Sequence, residues 1–408
     1  MMRSLCAVFI SSAMLWAAAP DATDSAEAVK ALAKILAEKP KDWNELAKAN
    51  ISATALTKAD AEKAKKFLWD AWVAKLKAER ADEWKDALLK QDKLELKFST
   101  KTFGKAPKAG HSFWISLHGG GGAPKEVNEQ QWENQKKLYK LDEGIYFVPR
   151  APTNTWNLWH ESHIDSLFER AIQNAIALDG VDPDRVYVMG YSAGGDGVYQ
   201  IGPRMADRWA AAAMMAGHPN DASPLSLRNT AFSIQMGEKD SAYNRNKVAE
   251  EWKTKLVDLQ KDDPDGYVHD VKIHAGKGHW MGGDDAAILP WMAKKVRNPI
   301  PEKIVWKQGG TPHRQFYWLA VANEKASTLT VVTRKKQTVT IDKSEGLKEL
   351  TIRLDDRMLD LDDDVTISAG GKEKFKGTSK RTIGTLLKTL QEQGDPKLMF
   401  SAEVAVDW

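Results

Sequence analysis

The sequence predicts an α/β protein: a mostly parallel sheet covered by helices on both faces, flanked by an N-terminal helical region and a C-terminal β-sandwich-like domain. Between residues 96 and 298, short apolar runs alternate with amphipathic helical segments, as in parallel sheets whose two faces are covered. Residues 21–95 are rich in Ala, Lys, Glu and Leu, with apolar side chains at helical spacing. Residues 299–408 mostly lose that period and alternate as strands do.

Residues 1–20 predict an export signal. Arg3 supplies a positive charge, LCAVFISSAMLWAAA is a short apolar core, and the small residues at Ala17–Ala19 suit a signal peptidase. The alternative is a buried N-terminal helix. Cys6 is the only cysteine, so cleavage would leave a mature protein with neither a disulfide nor a thiol. We expect a periplasmic or extracellular protein.

The helical region has two stretches of apolar residues at helical spacing: Val29, Leu32 and Leu36, and then Leu68, Trp72 and Leu76. Thr57 followed by Asp60 resembles the capping box that opens a helix. We expect these helices to pack on the domain that follows.

Six strands are predicted in the central region, at residues 111–117, 144–150, 185–190, 209–217, 231–237 and 267–276. Ligand sites in parallel sheets gather where the strands end. Polar residues that directly follow these strands are therefore the candidates for function.

The segment RNPIPEK, with prolines at 299 and 301, predicts a linker. The β-rich remainder, roughly a hundred residues, is in the size range of a small β-sandwich. It includes one predicted helix, RTIGTLLKTLQEQG. The acidic stretch from Asp355 to Asp364 could suggest a calcium site, but an EF-hand loop beginning at Asp360 would have Val365 where glycine is needed. We therefore predict that this stretch is a solvated turn.

Composition excludes several classes of function. A formal net charge of +3 in 408 residues argues against nucleic-acid binding. No run of about 18 apolar residues follows residue 20, so no membrane span is predicted. His160 and His163 lack the H-E-x-x-H spacing that places two imidazoles on one helical face, and no metal is expected. The oligomeric state is left open.

The pentapeptide GYSAG, residues 190–194, has the G-x-S-x-G pattern of a nucleophile elbow. Its glycines let the strand before Ser192 and the helix after it approach closely, and the Ala193 N–H then faces the site. The pattern alone is weak, but here it follows the predicted strand RVYVMG and precedes a plausible helix. The alternative is a serine in a tight turn.

A serine nucleophile needs a base and an orienting carboxylate, which in this kind of fold follow in the order acid, then histidine. Asp240 follows the strand AFSIQMG, and His279 follows the strand YVHDVKIHAG. Both lie at strand ends and in that order. The competitors lie inside strands or begin a helix: His269, His274, Asp270, Asp284 and Asp285.

The run LHGGGG, residues 117–122, predicts an oxyanion hole, which needs backbone N–H donors near the nucleophile. Gly120 or Gly121, together with Ala193, would supply them. A phosphate loop would need Gly-Lys-Ser/Thr after the glycines, where the sequence has Ala-Pro.

Together, LHGGGG, APTNTWNLW, GYSAGGDG, GEKD and GKGHWM resemble an α/β-hydrolase esterase, similar to poly(3-hydroxybutyrate) depolymerases and feruloyl esterases. The resemblance covers residues 96–297. It implies triad roles for Ser192, Asp240 and His279, and an oxyanion role for the glycines after His118. The cysteine and disulfides common in that group are missing here, as is the Asp-Pro-Leu acid motif of hormone-sensitive-lipase-like esterases, which leaves the substrate open.

Aromatic and histidine side chains beside these motifs are candidates for substrate contact: His118, Trp156, Trp159, Tyr191, His218 and Trp280. For the two tryptophans after the strand GIYFVPR, the alternative is that they anchor a loop. We therefore expect an exported serine esterase that acts on a small or polymeric ester and needs no cofactor. The alternatives are a peptidase of the prolyl-oligopeptidase type, for which the helical region is too short to replace the usual propeller, and a non-catalytic envelope binding protein.

Overall fold

A computed structural model of the chain describes residues 21–40 and 42–408, so the predicted export signal lies outside the described residues. Three helices come first, namely α1 (Ala22–Ala37), α2 (Trp43–Lys48) and α3 (Lys58–Lys85). The side chain of Thr57 accepts a hydrogen bond from the Asp60 backbone N–H at 3.2 Å and so caps α3, as the capping-box pattern predicts.

A sheet of eight strands forms the centre of the molecule: β1 (Leu88–Gln91), β2 (Leu94–Phe103), β3 (His111–Leu117), β4 (Gly144–Pro149), β5 (Val181–Tyr191), β6 (Ala211–Met215), β7 (Ala231–Gly237) and β8 (His269–His274). Their order across the sheet is β1-β2-β4-β3-β5-β6-β7-β8. The first two pairings are antiparallel and the other five are parallel. This order is that of the α/β-hydrolase fold, and the predicted fold class is confirmed.

The hairpin of β1 and β2 departs from the expected division of the chain. Residues 21–95 were expected to be helical, yet β1 ends at Gln91 and β2 begins at Leu94. Both strands belong to the central sheet, so the sheet begins before residue 96. Leu89 and Leu96 pair across the hairpin and are both fully buried, which fixes its register.

Helices cover both faces of the sheet: α4 (Lys125–Leu138), α5 (His163–Asp179), α6 (Ala193–Arg204), α7 (Arg245–Asp262) and α8 (Leu289–Ala293). Side chains of β3 alternate between two apolar cores, because successive residues of a strand face opposite sides. Phe113 and Ile115 lie in the core under α5, α6 and α7. Trp114 lies in the core on the other face, with residues of α8.

The C-terminal part is a sandwich of two sheets. Its elements are β9 (Lys303–Lys307), β10 (Gln315–Phe316), β11 (Leu319–Ala320), β12 (Leu329–Lys335), β13 (Thr338–Glu345), β14 (Glu349–Leu354), β15 (Val365–Ala369), β16 (Lys372–Gly377), α9 (Ile383–Gln393) and β17 (Ala402–Asp407). The sheet orders are β10-β11-β14-β17 and β16-β15-β13-β12-β9, with one apolar core between them.

The acidic stretch of this domain is not simply a solvated turn. Asp355 is 1 % exposed and accepts hydrogen bonds from Arg357. Arg381, itself buried, donates to both Asp356 and Asp362. Asp355 and Asp356 are therefore ion-pair partners with largely buried side chains, whereas the side chain of Asp362 is 61 % exposed.

The N-terminal helices and α9 share one apolar core, which includes Leu32 and Leu68 from the first part of the chain and Leu386 and Leu390 from the last. A buried ion cluster joins the central sheet and the C-terminal part. Asp395 lies 2.9 Å from Arg297 and 3.3 Å from Arg208. The three parts of the chain are therefore packed together.

Within the described part of the chain, none of the helices combines the length and apolar character that crossing a membrane requires. Nor do these residues bring together three His, Cys, Asp or Glu side chains that could hold a metal ion.

Candidate active site

Ser192 occupies the turn between β5 and α6 with φ 58° and ψ −119°, a strained conformation for a residue with a side chain. The glycines around it allow this turn. A Cβ on Gly190 would lie 2.3 Å from the Gly194 carbonyl oxygen, and a Cβ on Gly194 would lie 2.2 Å from the Leu117 oxygen. Larger residues would therefore push strand and helix apart, and the local geometry is that of a nucleophile elbow.

Ser192, His279 and Asp240 form a continuous hydrogen-bonded chain. His279 Nε2 lies 2.9 Å from Ser192 Oγ, and His279 Nδ1 lies 2.7 Å from Asp240 Oδ2. Since a carboxylate can only accept, Nδ1 carries the proton of the neutral ring and Nε2 is free to accept from the serine hydroxyl. Asp240 has a 2 % exposed side chain, whereas that of His279 is 43 % exposed and open to a substrate.

The competing residues have other partners. His274 Nε2 lies 2.9 Å from the side-chain oxygen of Gln235, within the sheet. Asp285 accepts a 2.5 Å hydrogen bond from the Tyr139 hydroxyl, and burial raises the pKa of its carboxyl. Neither group takes part in the chain of hydrogen bonds at Ser192.

The glycine loop after β3 lies directly against the nucleophile, because a Cβ on Gly119 would come within 3.2 Å of the Ser192 Cβ. Gly121 donates its N–H to Asn128 Oδ1 at 2.9 Å, so this donor already has a partner. Gly120 has φ +106°, and a Cβ there would lie 2.3 Å from the same Asn128 oxygen. Gly120 and Ala193, rather than Gly121, are therefore the candidate oxyanion donors.

His118 fixes the backbone of this glycine loop through hydrogen bonds of its ring. Its Nε2 accepts the Ala151 N–H at 3.1 Å, so Nδ1 carries the proton and donates to the Gly119 oxygen at 2.6 Å. Burial lowers the pKa of His118 to about 3, which keeps the ring neutral near pH 7. Trp159 Nε1 donates to the His118 oxygen at 2.8 Å. Because Gly119 O is fixed on the ring, the Gly120 N–H of the same peptide is turned to the opposite side.

A cavity of about 570 Å³ opens beside Ser192 and His279. Tyr191 and Trp280 form part of its wall, and Trp280 is 58 % exposed. The opposite wall comes from α4, through Val127, Gln131, Asn134, Gln135 and Leu138. Among the described residues that line it there is no Asp, Glu, Lys or Arg. The cavity is suited to an uncharged group.

The predicted substrate contacts divide into three groups. Tyr191 and Trp280 line the cavity. Trp156 and His218 do not line the cavity. Trp156 is 63 % exposed and packs beside Gly122, and the His218 backbone N–H donates to Asp196. His118 and Trp159 are fully buried and hold the glycine loop, so neither side chain is placed to contact a ligand in the cavity.

The pattern of NEQQWENQKKLYK, residues 128–140, predicts a helix, and the structure has α4 there. Sequence reasoning did not predict that this helix lines the cavity or that Asn128 contacts the glycine loop. Its position directly after the glycine run is the one signal that could have pointed to either role. The face that α4 turns to the cavity depends on how the helix packs, because its polar residues occur on all sides.

No protein-family model and no curated protein sequence matches the chain. Similar solved structures include the esterase PE8, with 16 % identity, 48 % of this chain and 99 % of that chain covered, and a TM-score of 0.36. A phospholipase/carboxylesterase from Dyadobacter fermentans has 18 % identity, 51 % and 100 % coverage, and a TM-score of 0.36. The feruloyl esterase module from Clostridium thermocellum has 15 % identity, 50 % and 85 % coverage, and a TM-score of 0.33. At these values the likeness assigns neither a substrate nor residue roles. The strand order and the geometry of the site carry the conclusion. The protein has an α/β-hydrolase fold, with Ser192, His279 and Asp240 linked by hydrogen bonds at its nucleophile elbow.

Proposed function

We propose that the protein is a serine hydrolase that cleaves carboxylic esters. The observation that carries this proposal is the chain of two hydrogen bonds, 2.9 Å from His279 to Ser192 and 2.7 Å from His279 to Asp240. In the proposal Ser192 is the nucleophile, His279 the general base, and Asp240 the group that orients the ring.

In the acylation step, Ser192 Oγ attacks the ester carbonyl carbon while its proton passes to His279 Nε2. The carbonyl oxygen becomes an oxyanion that the N–H groups of Gly120 and Ala193 stabilise. The C–O bond to the alcohol then breaks, and His279 returns the proton to the departing oxygen. The products are a free alcohol and an acyl-serine.

In the second step, water attacks the acyl-serine carbonyl. His279 takes a proton from the water and passes it to Ser192 Oγ as the acyl bond breaks. The carboxylic acid leaves and the enzyme is restored. Water is the one co-reactant, and each proton has a donor and an acceptor among Ser192, His279, the water and the substrate.

The uncharged lining of the cavity supports neutral esters as substrates. A charged acyl or alcohol group would lose its hydration there without an opposite charge to replace it. The same lining does not favour a peptidase that holds a free amino terminus, because such a site needs carboxylates near the serine.

His118→Phe is expected to lower kcat about 100-fold, the size of effect seen when an oxyanion donor is lost. The change leaves the Gly119 oxygen without its ring donor at 2.6 Å, so the Gly120 N–H is no longer fixed. His118→Gln, which keeps a donor and an acceptor, should recover part of the activity. Steady-state kinetics on an activated ester measure both variants. Equal kcat for wild type and His118→Phe would contradict the role assigned to His118.

The proposal is tested with a fluorophosphonate probe, which reacts with activated serines, and with a panel of neutral esters, charged esters and a peptide amide. Wild type should be labelled and should hydrolyse neutral esters, and Ser192→Ala should do neither. Ser241→Ala changes an exposed serine in the loop after β7 and serves as the control that retains labelling. If the probe does not label wild type, the esterase proposal fails and the non-catalytic binding protein is favoured. If wild type prefers the amide to the esters, a peptidase is favoured.

We also propose that the protein is exported, on the strength of Arg3, the apolar run and the small residues at Ala17–Ala19. Expression of the full chain in a bacterium, followed by mass spectrometry of the product in each compartment, tests this. A product cleaved near residue 20 outside the cytoplasm is expected, and an uncleaved cytoplasmic product would contradict export.

A further inference from the structure

The hydroxyl of Tyr191 bonds to two backbone groups within residues 275–283, the loop that carries His279 and is called the base loop here. It donates to the His279 carbonyl oxygen at 2.7 Å and accepts the Met281 N–H at 3.0 Å. Tyr191 immediately precedes Ser192 in the chain and is 7 % exposed. One side chain therefore connects the strand that carries the nucleophile with the loop that carries the base.

Before His279, the base loop is also held by the Gly276 N–H, which donates to Glu238 at 2.7 Å, and by the Lys277 oxygen, which accepts the Lys239 N–H at 2.8 Å. The Tyr191 hydroxyl adds a contact at His279 itself and just after it.

The glycines of the base loop at 276, 282 and 283 have φ of +71°, +73° and +85°, and glycine backbones are the most free to move. The ring of His279 is held by Asp240 at one nitrogen, and nearly half of its side chain is exposed. A backbone shift of the loop would move Nε2 away from Ser192 Oγ without breaking the bond to Asp240, because the ring can turn about that contact.

We propose that Tyr191 is a positioning residue for His279. Its hydroxyl holds the backbone of the base loop so that His279 Nε2 stays at the distance from Ser192 Oγ that proton transfer needs. This inference rests on the proposed function, since the geometry matters only if His279 accepts the serine proton. Burial, with the charges of Asp285 and Asp240, raises the pKa of Tyr191 above its ordinary value, so the hydroxyl remains a donor across the working pH range.

The contrasting interpretation is that this hydroxyl only adds stability. Tyr187 provides a matched control on the same strand, also buried within the sheet. Its hydroxyl donates to the Lys295 carbonyl oxygen at 2.8 Å, also in the segment after β8, and makes no contact with the site. If hydroxyl loss acts through stability alone, Tyr187→Phe and Tyr191→Phe should change activity alike.

The experiment compares kcat, KM and thermal unfolding for wild type, Tyr191→Phe and Tyr187→Phe on a neutral activated ester. Tyr191→Phe should lower kcat roughly 10- to 100-fold and change KM by no more than about twofold, since misplaced groups cost turnover more than binding. Tyr187→Phe should keep kcat within about twofold of wild type although its unfolding midpoint also falls. A kcat for Tyr191→Phe within twofold of wild type, or an equal loss in Tyr187→Phe, would overturn the proposal.

Two measurements do not depend on ester hydrolysis. The Met281 amide should be protected from hydrogen exchange in wild type and lose protection in Tyr191→Phe, and the low-field NMR signal of the His279 Nδ1 proton should broaden in that variant. If wild type hydrolyses no ester, the proposed function fails, while these two readouts still decide whether Tyr191 holds the loop. If Tyr191→Phe does not fold, exchange of the wild-type Met281 amide at the rate of a free loop would by itself refute the bridge.

Discussion

Asp240→Asn is expected to lower kcat about 10⁴-fold while leaving the fold intact, the effect typical of an asparagine in place of a triad acid. Asp240 Oδ2 accepts the proton of His279 Nδ1 at 2.7 Å. An asparagine can present its NH₂ to that nitrogen, which then has to accept, so the ring proton moves to Nε2. A protonated Nε2 cannot take the proton of Ser192.

Steady-state kinetics on a neutral ester measure this change, with Asp270→Asn as its control. Asp270 lies on the neighbouring strand β8 and accepts from the Gln235 side chain at 3.2 Å, away from the nucleophile. Asp270→Asn should retain activity within about twofold of wild type. A loss of less than tenfold in Asp240→Asn, or an equal loss in both variants, would remove Asp240 from the catalytic chain.

Asp395→Ala is expected to lower the free energy of unfolding by about 2–3 kcal/mol, less than the ~3–5 kcal/mol for a fully uncompensated buried charge, because each of two buried arginines loses one of its two carboxylate partners. Asp395 lies 2.9 Å from Arg297 and 3.3 Å from Arg208, and the side chains of all three are 1 % exposed. Arg297 keeps Asp184 as a second partner at 2.8 Å, and Arg208 keeps Glu169. The variant therefore weakens the junction between the central sheet and the sandwich but keeps some of its ion pairs.

Urea unfolding of wild type and Asp395→Ala measures this loss, and Glu324→Ala is its control. Glu324 pairs with Arg314 at 3.2 Å on the surface, where both side chains are at least half exposed, and its removal should cost no more than about 1 kcal/mol. Equal losses in the two variants would contradict the structural role of Asp395.

The stability contributed by Asp395 also depends on pH. Burial alone would raise the pKa of its carboxyl, but the charges of Arg297 and Arg208 outweigh burial and hold that pKa below its ordinary value. This contribution to stability is complete above the unfolded-state pKa and is lost as the pH falls through the folded-state pKa.

The residues around Ser192 were predictable because local sequence determines them. The elbow needs glycines on both sides of the serine, and a Cβ at Gly190 or Gly194 would meet backbone atoms. Asp240 and His279 directly follow strands, and parallel strands bring their ends to one edge of the sheet. The order of the three residues along the chain thus carried enough information to place them together.

The features that the sequence did not predict depend on contacts between distant segments. Gly120 and Gly121 are indistinguishable until Asn128 is placed against one of their N–H groups. The strand β1 follows a long Lys- and Glu-rich helix, and its four residues are too few for an alternating pattern to stand out. The partners of Asp355 and Asp356 become visible only when Arg357 and Arg381 are brought to them by the sandwich.

The core that the first helices share with α9 has a consequence for the order in which the protein matures. Leu32 and Leu68 leave the ribosome long before Leu386 and Leu390, yet the four are buried in one cluster. Until α9 arrives, the early helices expose an apolar stripe that a chaperone can bind. Completion of this core is therefore tied to the synthesis of α9, and a chain truncated before α9 should be recognised as unfinished although Ser192, Asp240 and His279 are all present.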